Sequence, residues 1–278
     1  MLTYIIRRLL WMPILLFFVS LFTFTLGFYG PGDPVEVRLG IKYNPETAER
    51  LRTELGLDRP FLVQYSDYMA GFVTGDLGES LTKYPGYPVG QLIKNKIWIS
   101  SQLGIAAFIV FTSLGIPLGL LAALKQGTWM DTAIVSFTLL FVSLPVFITA
   151  PFLILFFAVW LGWLPTGGWD GFFDTHIIMP ALVLGLPGIA GLARLTRAST
   201  MDVLGQEYVR TARAKGLHEV TVQVRHVIKN AMIPIITVLG LGLGTLVEGA
   251  FIAETFFGIP GIGQLAVDSL FARDYPII

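Results

Sequence analysis

An all-α polytopic membrane protein is the fold class this sequence predicts, and three observations predict it. Hydrophobic residues make up 54% of the 278-residue chain and charged residues only 14%, whereas soluble domains run at about 45–50% apolar and about 25% charged; mean hydropathy is +0.70. The charges that are present leave five long windows untouched. The loops between those windows alternate between strongly basic and neutral or acidic, so the zero net charge of 19 basic and 19 acidic residues conceals a sided distribution.

A membrane helix needs about 20 residues with few or no charges. The charge-free windows run Leu9 to Gly32, Ile97 to Leu124, Thr132 to Trp169, Thr175 to Ala193 and Asn230 to Val247. The first follows Arg7 and Arg8 like a secretory leader, but its apolar core exceeds the roughly 7–15 residues of such a leader and lacks a clear small-x-small cleavage site. It reads as a retained span. The third window carries Pro145, Pro151 and Pro165 and reads as one bent helix, since no charged turn divides it. The fifth is extended past Glu248 to end near Glu254.

The positive-inside rule sets the topology. Arg7 and Arg8 place the N-terminus in the cytoplasm, Lys125 marks the next inward turn, and Arg194, Arg197, Arg210, Arg213, Lys215, Arg225 and Lys229 mark the third. Outward segments fit: residues 33–96 hold nine acids against eight bases, and the turn from Trp163 to His176 has Asp170 and Asp174 with no Lys or Arg. Five spans leave the C-terminus outside, which predicts a sixth, inward-going helix beyond Ile278; a five-span protein is the alternative. The chain divides into an N-terminal end and first span (residues 1–32), an extracytoplasmic segment (33–96) and a core (97–278) whose cytoplasmic loop covers 194–233. Within the extracytoplasmic segment, Pro45 to Leu55 and Phe61 to Phe72 read as helices, and Gly75-Asp-Leu-Gly78 and Tyr84-Pro-Gly-Tyr-Pro88 as turns.

The basic loop is the feature with the most to say about function. Helical periodicity puts Leu204, Tyr208 and Ala212 on one face, and Arg210 and Arg213 on another. Gly216 can end that helix in a left-handed conformation. A second helix from about Glu219 then carries Val220, Val224, Val227 and Ala231 along one side. Such a basic, amphipathic corner suits either anionic headgroups or a protein partner.

Elsewhere the chemistry is sparse. With no cysteine, the chain has no disulfide framework and no thiolate nucleophile or ligand. No Gly-x-x-x-x-Gly-Lys-Ser/Thr loop occurs, so nucleotide phosphates are cradled in trans if ATP is used. The three histidines, at 176, 218 and 226, lie far apart, and no metal-ligand spacing is evident; His226 reads as a helix-surface or capping residue. Basic residues without interleaved aromatics give no nucleic-acid platform. Ser143, Pro145 and Phe147 mark a candidate helix break on a translocation path, or a packing kink. Glu248, a carboxylate inside an apolar helix, either lines the path, pairs with a neighbouring subunit or reaches the outer headgroups. Glycines at 115 and 119, at 185, 188 and 191, and at 240, 242 and 244 suit close helix packing, within the chain or with a second subunit.

Tyr208-Val-Arg-Thr-Ala-Arg-Ala-Lys-Gly216-Leu, followed by His226, Asn230-Ala231 and Pro234, resembles the cytoplasmic signature loop of the oligopeptide/dipeptide permease family of ABC importers, in the subunit with the long external segment. Pro31-Gly-Asp-Pro34, Leu55-Gly-Leu-Asp-Arg-Pro60, Tyr65, Gly75-Asp-Leu-Gly78 with Ser80, Glu254-Thr-Phe-Phe-Gly-Ile-Pro-Gly-Ile-Gly263 and Arg273-Asp-Tyr-Pro276 follow in the family's order, so the resemblance covers essentially the whole chain. It implies the type I ABC-importer transmembrane fold in a prokaryotic inner membrane. It further implies a non-catalytic permease subunit paired with a second permease, with two ATPase subunits that bind the ATP and Mg, and with an extracytoplasmic substrate-binding protein. Glu207, Tyr208, Arg210, Thr211, Ala212, Arg213, Lys215 and Gly216 would form the ATPase-coupling surface. The wider superfamily has Glu-Ala-Ala before the glycine where Arg210-Thr-Ala212 stands here, so contacts made by that Glu do not carry over. Family members import dipeptides, oligopeptides, glutathione, nickel chelates or oligosaccharides; peptides are the expectation here. A self-sufficient transporter or channel with a lipid-anchoring loop is the alternative from a different class.

Overall fold

The computed structural model describes residues 2–30, 32–242 and 250–278, and among them every regular element is helical. They group into two units, residues 1–95 with 265–278, and residues 96–264.

In the first unit, α1 (Leu2–Tyr29) carries Arg7 and Arg8 near its start, and Ile5–Tyr29 is long and apolar enough to cross a membrane. Two short helices follow, each started by a polar cap and a proline. Asp33 accepts the Val35 N–H at 2.8 Å ahead of α2 (Pro34–Leu39), and Asn44 accepts the Glu46 N–H at 3.1 Å ahead of α3 (Pro45–Glu54). Each cap satisfies an orphan donor that the first helical turn leaves open, and the proline forfeits an N–H that has no partner there. Asp33 also takes the Arg52 guanidinium, which joins α2 to α3. α4 (Phe61–Thr74) ends at Gly75, whose φ of +81° is the left-handed conformation that favours glycine. Both helices expected between the first two spans are present.

The far end of the chain closes this unit. The buried Asp274 carboxylate accepts the backbone N–H groups of Leu81, Thr82 and Lys83 at 2.9, 3.2 and 2.8 Å and the Ser80 hydroxyl, while Lys83 Nζ pairs with Asp268 at 2.8 Å. Tyr275 donates to the Gly32 carbonyl at 3.1 Å, and the Arg273 guanidinium occupies the space where a Cβ on Gly32 would lie. Gly32 (φ +104°) and the Arg273-Asp-Tyr run are thus two halves of one contact.

In the second unit, three further membrane-length elements are α5 (Val89–Leu124), Thr175–Leu204, in which a 3-10 turn leads into α8 (Ile178–Leu204), and Glu219–Gly242. The unit's core gathers Leu103, Ala106, Ala150, Met179, Val183, Ala253, Phe257 and Ile259. α5 and α8 pack backbone to backbone. A Cβ on Gly119 would fall 2.4 Å from the Ala193 carbonyl, and Cβ atoms on Gly115, Gly185 and Gly188 would press on Leu192, Val110 and Phe111. Those glycines therefore serve packing within the chain. Cβ atoms on Gly191, Gly240 and Gly242 would meet nothing, and Gly244 lies outside the described residues.

The third window departs from the expected single bent helix. The chain leaves α6 (Trp129–Ser143) at Leu144 and restarts as α7 (Val146–Leu153), continued by a π-helical stretch Ile154–Trp160, on an axis turned by 100°. Pro145 is the reason: it holds Leu144 extended (φ −99°, ψ 112°) and has no N–H with which to continue α6. Of the expected fifth span, Lys229–Gly242 and α12 (Ala250–Phe257) are helical; Glu248 lies outside the described residues.

Candidate functional site

The basic loop begins where α8 ends at Gly205. α9 (Glu207–Ala214) is strongly amphipathic: Val209 and Ala212 are buried, while Glu207, Tyr208, Arg210, Thr211, Arg213 and Lys215 are exposed. Lys215 caps α9 and Gly216 follows at φ +78°. The Leu217 N–H reaches the Ala212 carbonyl at 3.4 Å and the Gly216 N–H reaches Arg213 at 2.9 Å, the paired bonds of a Schellman ending. A Cβ on Gly216 would meet nothing within 4 Å, so its φ, and not crowding, is what calls for glycine.

The chain then turns into α10 (Glu219–Thr221), capped by His218, a π-helical segment Val222–Ile228, and α11 (Lys229–Gly242). The expected stripe of Val220, Val224, Val227 and Ala231 needs correction, because Val220 and Val224 are more than half exposed. The buried set is Val222, Val227, Ala231 and Ile235. Bonding from i to i+5 widens each turn by a residue, so Val222 and Val227, five apart, share a face before the spacing of four resumes. Val222 and Val227 close on Val209 and Ala212, with Val203 and Leu204 against them, forming a small core beneath the loop.

Tyr208 also departs from expectation. The break at Gly205 and Gln206 resets the helical phase, so Val209 takes the packed face with Ala212, and Tyr208 lies 41% exposed across the loop. Its hydroxyl accepts from Asn230 Nδ2 at 2.9 Å, and Asn230 Nδ2 also reaches the His226 carbonyl at 2.9 Å. Arg213 forms a two-pronged pair with Glu219, at 3.1 and 2.8 Å. The Arg210 guanidinium, by contrast, makes no hydrogen bond or ion pair among the described residues. The surface left open to a partner is therefore Tyr208, Arg210, Thr211 and Lys215, with Arg213 already engaged.

A second anchor, unseen in the sequence, lies at the base of α8. Arg197 Nε and Nη2 bind the two Asp131 carboxylate oxygens at 2.7 and 2.8 Å, and Asp131 also takes the Gly127 N–H at 3.1 Å. In the sequence Arg197 shows only its sign, and Asp131 stands just outside a charge-free window. The pair ties the first turn of α6 to the stretch of α8 that leads into α9.

The other sequence candidates are placed as follows. Ser143, Pro145 and Phe147 sit together at the break between α6 and α7, all exposed. The Ser143 hydroxyl returns to the Leu139 carbonyl at 3.0 Å, and the Pro145 carbonyl accepts the Thr149 hydroxyl at 2.9 Å. Asp170, Asp174 and His176 come within 4.8 Å of one another, a grouping that counting histidines alone does not reveal. Asp174 caps the 3-10 turn through the His176 N–H at 3.0 Å and also pairs with the His176 ring; these contacts hold its carboxyl below the usual range. Glu254 is a further buried carboxylate not marked in the sequence. It accepts the Ser100 hydroxyl and, at 3.0 Å, the Gln264 N–H in the first turn of α13 (Ile262–Ala272), while Ser100 accepts the Ile262 N–H at 2.8 Å. A carboxylate at a helix N-terminus meets oriented N–H dipoles there. A Cβ on Gly261 would fall 2.2 Å from that carboxylate, so the Gly-x-Gly run exists to admit it.

Two family models together span the chain. One, described as binding-protein-dependent transport system inner membrane component, matches residues 115–278; its N-terminal companion matches residues 1–104. The chain belongs to the binding-protein-dependent transport system inner membrane component family. It is an inner-membrane, multi-pass permease subunit of a peptide-family ABC importer. The permease is 39% identical over 278 residues to the glutathione transport system permease protein GsiC of Escherichia coli strain K12, covering all of this chain and 90% of that one. It is 36% identical over 281 residues to a probable peptide ABC transporter permease of Sinorhizobium fredii, covering 99% of this chain and 89% of the relative. Its fold resembles a solved MetNI methionine ABC transporter in inward-facing conformations, with TM-score 0.52 at 17% identity over 65% of this chain and 81% of that one. The permease's loop motif and its Arg273-Asp-Tyr and Glu254-to-Gly263 runs are thus accounted for by contacts within this chain, apart from the exposed crest of α9.

Proposed function

We propose that this permease forms half of a translocation path for di- or oligopeptides, glutathione among them, and takes its energy from two separate ATPases through α9. The second half is a related permease, substrate is delivered by an extracytoplasmic binding protein, and ATP with Mg resides in the ATPases. The observation that carries the coupling reading is the pairing of an open crest, Tyr208, Arg210, Thr211 and Lys215, with a rigid underside of Val209, Ala212, Val222 and Val227. A push on the crest reaches two membrane helices at once, because only Gly205 and Gln206 separate α9 from α8 and Tyr208 of α9 binds Asn230 of α11. Arg210 carries a charge free for a partner carboxylate. Glu207 begins α9, and Gly216 lets the chain turn back directly into the second helix. The excess of Lys and Arg in this loop, and Arg7 and Arg8 at the N-terminus, support a cytoplasmic position for both. Ser143, Pro145 and Phe147 line the path on this reading, where a broken helix leaves backbone groups to a water-filled route; Glu248 is assigned to it from sequence alone.

Full-length similarity to glutathione and peptide permeases supports the substrate class. Uptake of labelled glutathione, dipeptides and longer peptides into cells carrying this permease with its partner subunits tests it. Energy-dependent accumulation of one peptide class is expected; accumulation of only a nickel chelate or an oligosaccharide would overturn it.

A further inference from the structure

Helix α4 lies in the segment between two spans, which by sequence alone belongs to the aqueous side. The structure fastens it along α1 instead. Phe61 meets Tyr29 and Phe28 at the end of α1, with ring centroids 5.8 and 5.2 Å apart. Further along, Phe24 meets Phe61, Tyr65 and Tyr68 at 5.4 to 5.5 Å. Further still, the hydroxyls of Tyr65 and Ser20 are hydrogen-bonded at 3.0 Å, and Ser20 donates to Met69 Sδ at 3.4 Å. The two helices therefore run antiparallel. Ser20 lies nine residues from Tyr29, about 14 Å at 1.5 Å per residue, or roughly half of a hydrocarbon core about 30 Å thick.

Away from its ring contacts with α1, α4 exposes apolar Leu62, Val63, Ala70 and Val73 together with Ser66, Asp67 and Thr74. Leu62 and Val73 are 74% and 80% exposed, flanked by Phe72 and Val63. Its polar groups are already answered. Ser66 and Thr74 donate to the Val63 and Ala70 carbonyls of their own helix at 2.8 and 3.0 Å, so neither hydroxyl needs an outside partner. Asp67 is paired with Arg59 at 2.7 Å, and Arg59 precedes the helix start, from which its long side chain reaches the polar boundary. The neighbouring surface of α1 presents Phe18, Phe22 and Leu26, all more than half exposed, at a spacing of four.

We infer that α4 is embedded in the bilayer leaflet at the Tyr29 end of α1, with Leu62 and Val73 in contact with lipid acyl chains. On the orientation proposed above this is the outer leaflet, and the leaflet assignment alone rests on that orientation. Acyl chains are the occupant because the open face of α4 continues the apolar surface of a membrane span at the same depth. A helix satisfies its own backbone there, which an irregular loop does not.

The chain has no cysteine, so single spin labels can be attached at L62C and V73C in the full chain, purified with its partner subunits and reconstituted in lipid nanodiscs. Labels at F18C in α1 and D58C before α4 give the lipid and water references. Collisions with oxygen should exceed those with a water-soluble nickel chelate at positions 62 and 73, as at 18, with the order inverted at 58. Nickel-dominated collisions at 62 and 73 would return α4 to the aqueous side. Low accessibility to both reagents would give the face to a protein subunit. Either result overturns the inference, and neither bears on uptake, which reads the transport function separately.

Discussion

Arg213 and Glu219 meet across the Gly216 corner through two parallel hydrogen bonds, so the helix that precedes the glycine is tied to the helix that follows it. Two planar groups matched in this way fix an angle as well as a distance. Lysine offers a single charge on a flexible stem. Arg213→Lys is therefore expected to leave the loop folded yet loosen α9, with faster amide exchange over residues 207–217, and Arg213→Ala to loosen it further. Equal exchange in all three proteins would remove the pair from the account.

Gly216 stands at φ +78° with open space around it, which makes its replacement a test of backbone conformation. A left-handed residue other than glycine costs about 1–2 kcal/mol, with asparagine the least penalised. Uptake should rank wild type, Gly216→Asn, Gly216→Ala and Gly216→Val in descending order at equal amounts of membrane-inserted protein. A bulky residue that transports as well as asparagine would show that the corner is not required.

Removing Arg197 leaves the buried Asp131 with only the Gly127 N–H. An uncompensated buried charge is worse than a neutral pair of the same shape. Arg197→Met is thus expected to melt at a lower temperature than the double variant Arg197→Met/Asp131→Leu, as read by thermal denaturation in detergent. The reverse order would mean the pair is not what joins α6 to α8.

Gly261→Ala places a methyl group 2.2 Å from the Glu254 carboxylate and must displace it from Ser100 and Gln264. Overpacking of this kind costs about 1–3 kcal/mol. Glu254→Ala opens the same space, so the two substitutions together should destabilise by less than the sum of each alone in a double-mutant cycle. Additive effects would separate the two residues.

Asp174 has its carboxyl depressed chiefly by the His176 N–H and then by the His176 ring. A depressed acid stabilises the folded state above the ordinary aspartate range, and that contribution is lost as pH falls through the lowered value. An NMR titration of the Asp174 carboxyl should read below the range of a free aspartate, and His176→Ala should move it upward. A titration unmoved by that substitution would contradict the assigned contacts.

Much of this architecture is legible in the sequence, because charge-free windows and cap-proline pairs such as Asn44-Pro45 act locally. Four of the five windows are matched by membrane-length helices or their start, and α3 and α4 fall where expected. What escaped depended on register or on distant partners. The π-helical turn at Val222–Ile228 shifted the buried stripe by a residue, and the break at Gly205 turned Tyr208 outward; neither leaves a mark on a 3.6-residue pattern. Asp131 with Arg197, and Glu254 with Ser100, are pairs 66 and 154 residues apart, visible only once the helices are packed. In sequence nothing marks Glu254 as a buried carboxylate, since its partners Ser100 and Gln264 are brought to it only by packing. Leu144-Pro145 was read as a bend, and the missing N–H together with an extended Leu144 made it a 100° break.

The central claim is that the open crest of α9 is where ATPase subunits engage. A single cysteine at Thr211 or Lys215, in a chain that has none of its own, can be cross-linked in membranes containing the assembled transporter. The account predicts a cross-link from both positions to an ATPase subunit, together with loss of ATP-driven peptide uptake once the bond is fixed. No cross-link from either position, with peptide uptake undiminished in vesicles free of ATPase subunits, would contradict it.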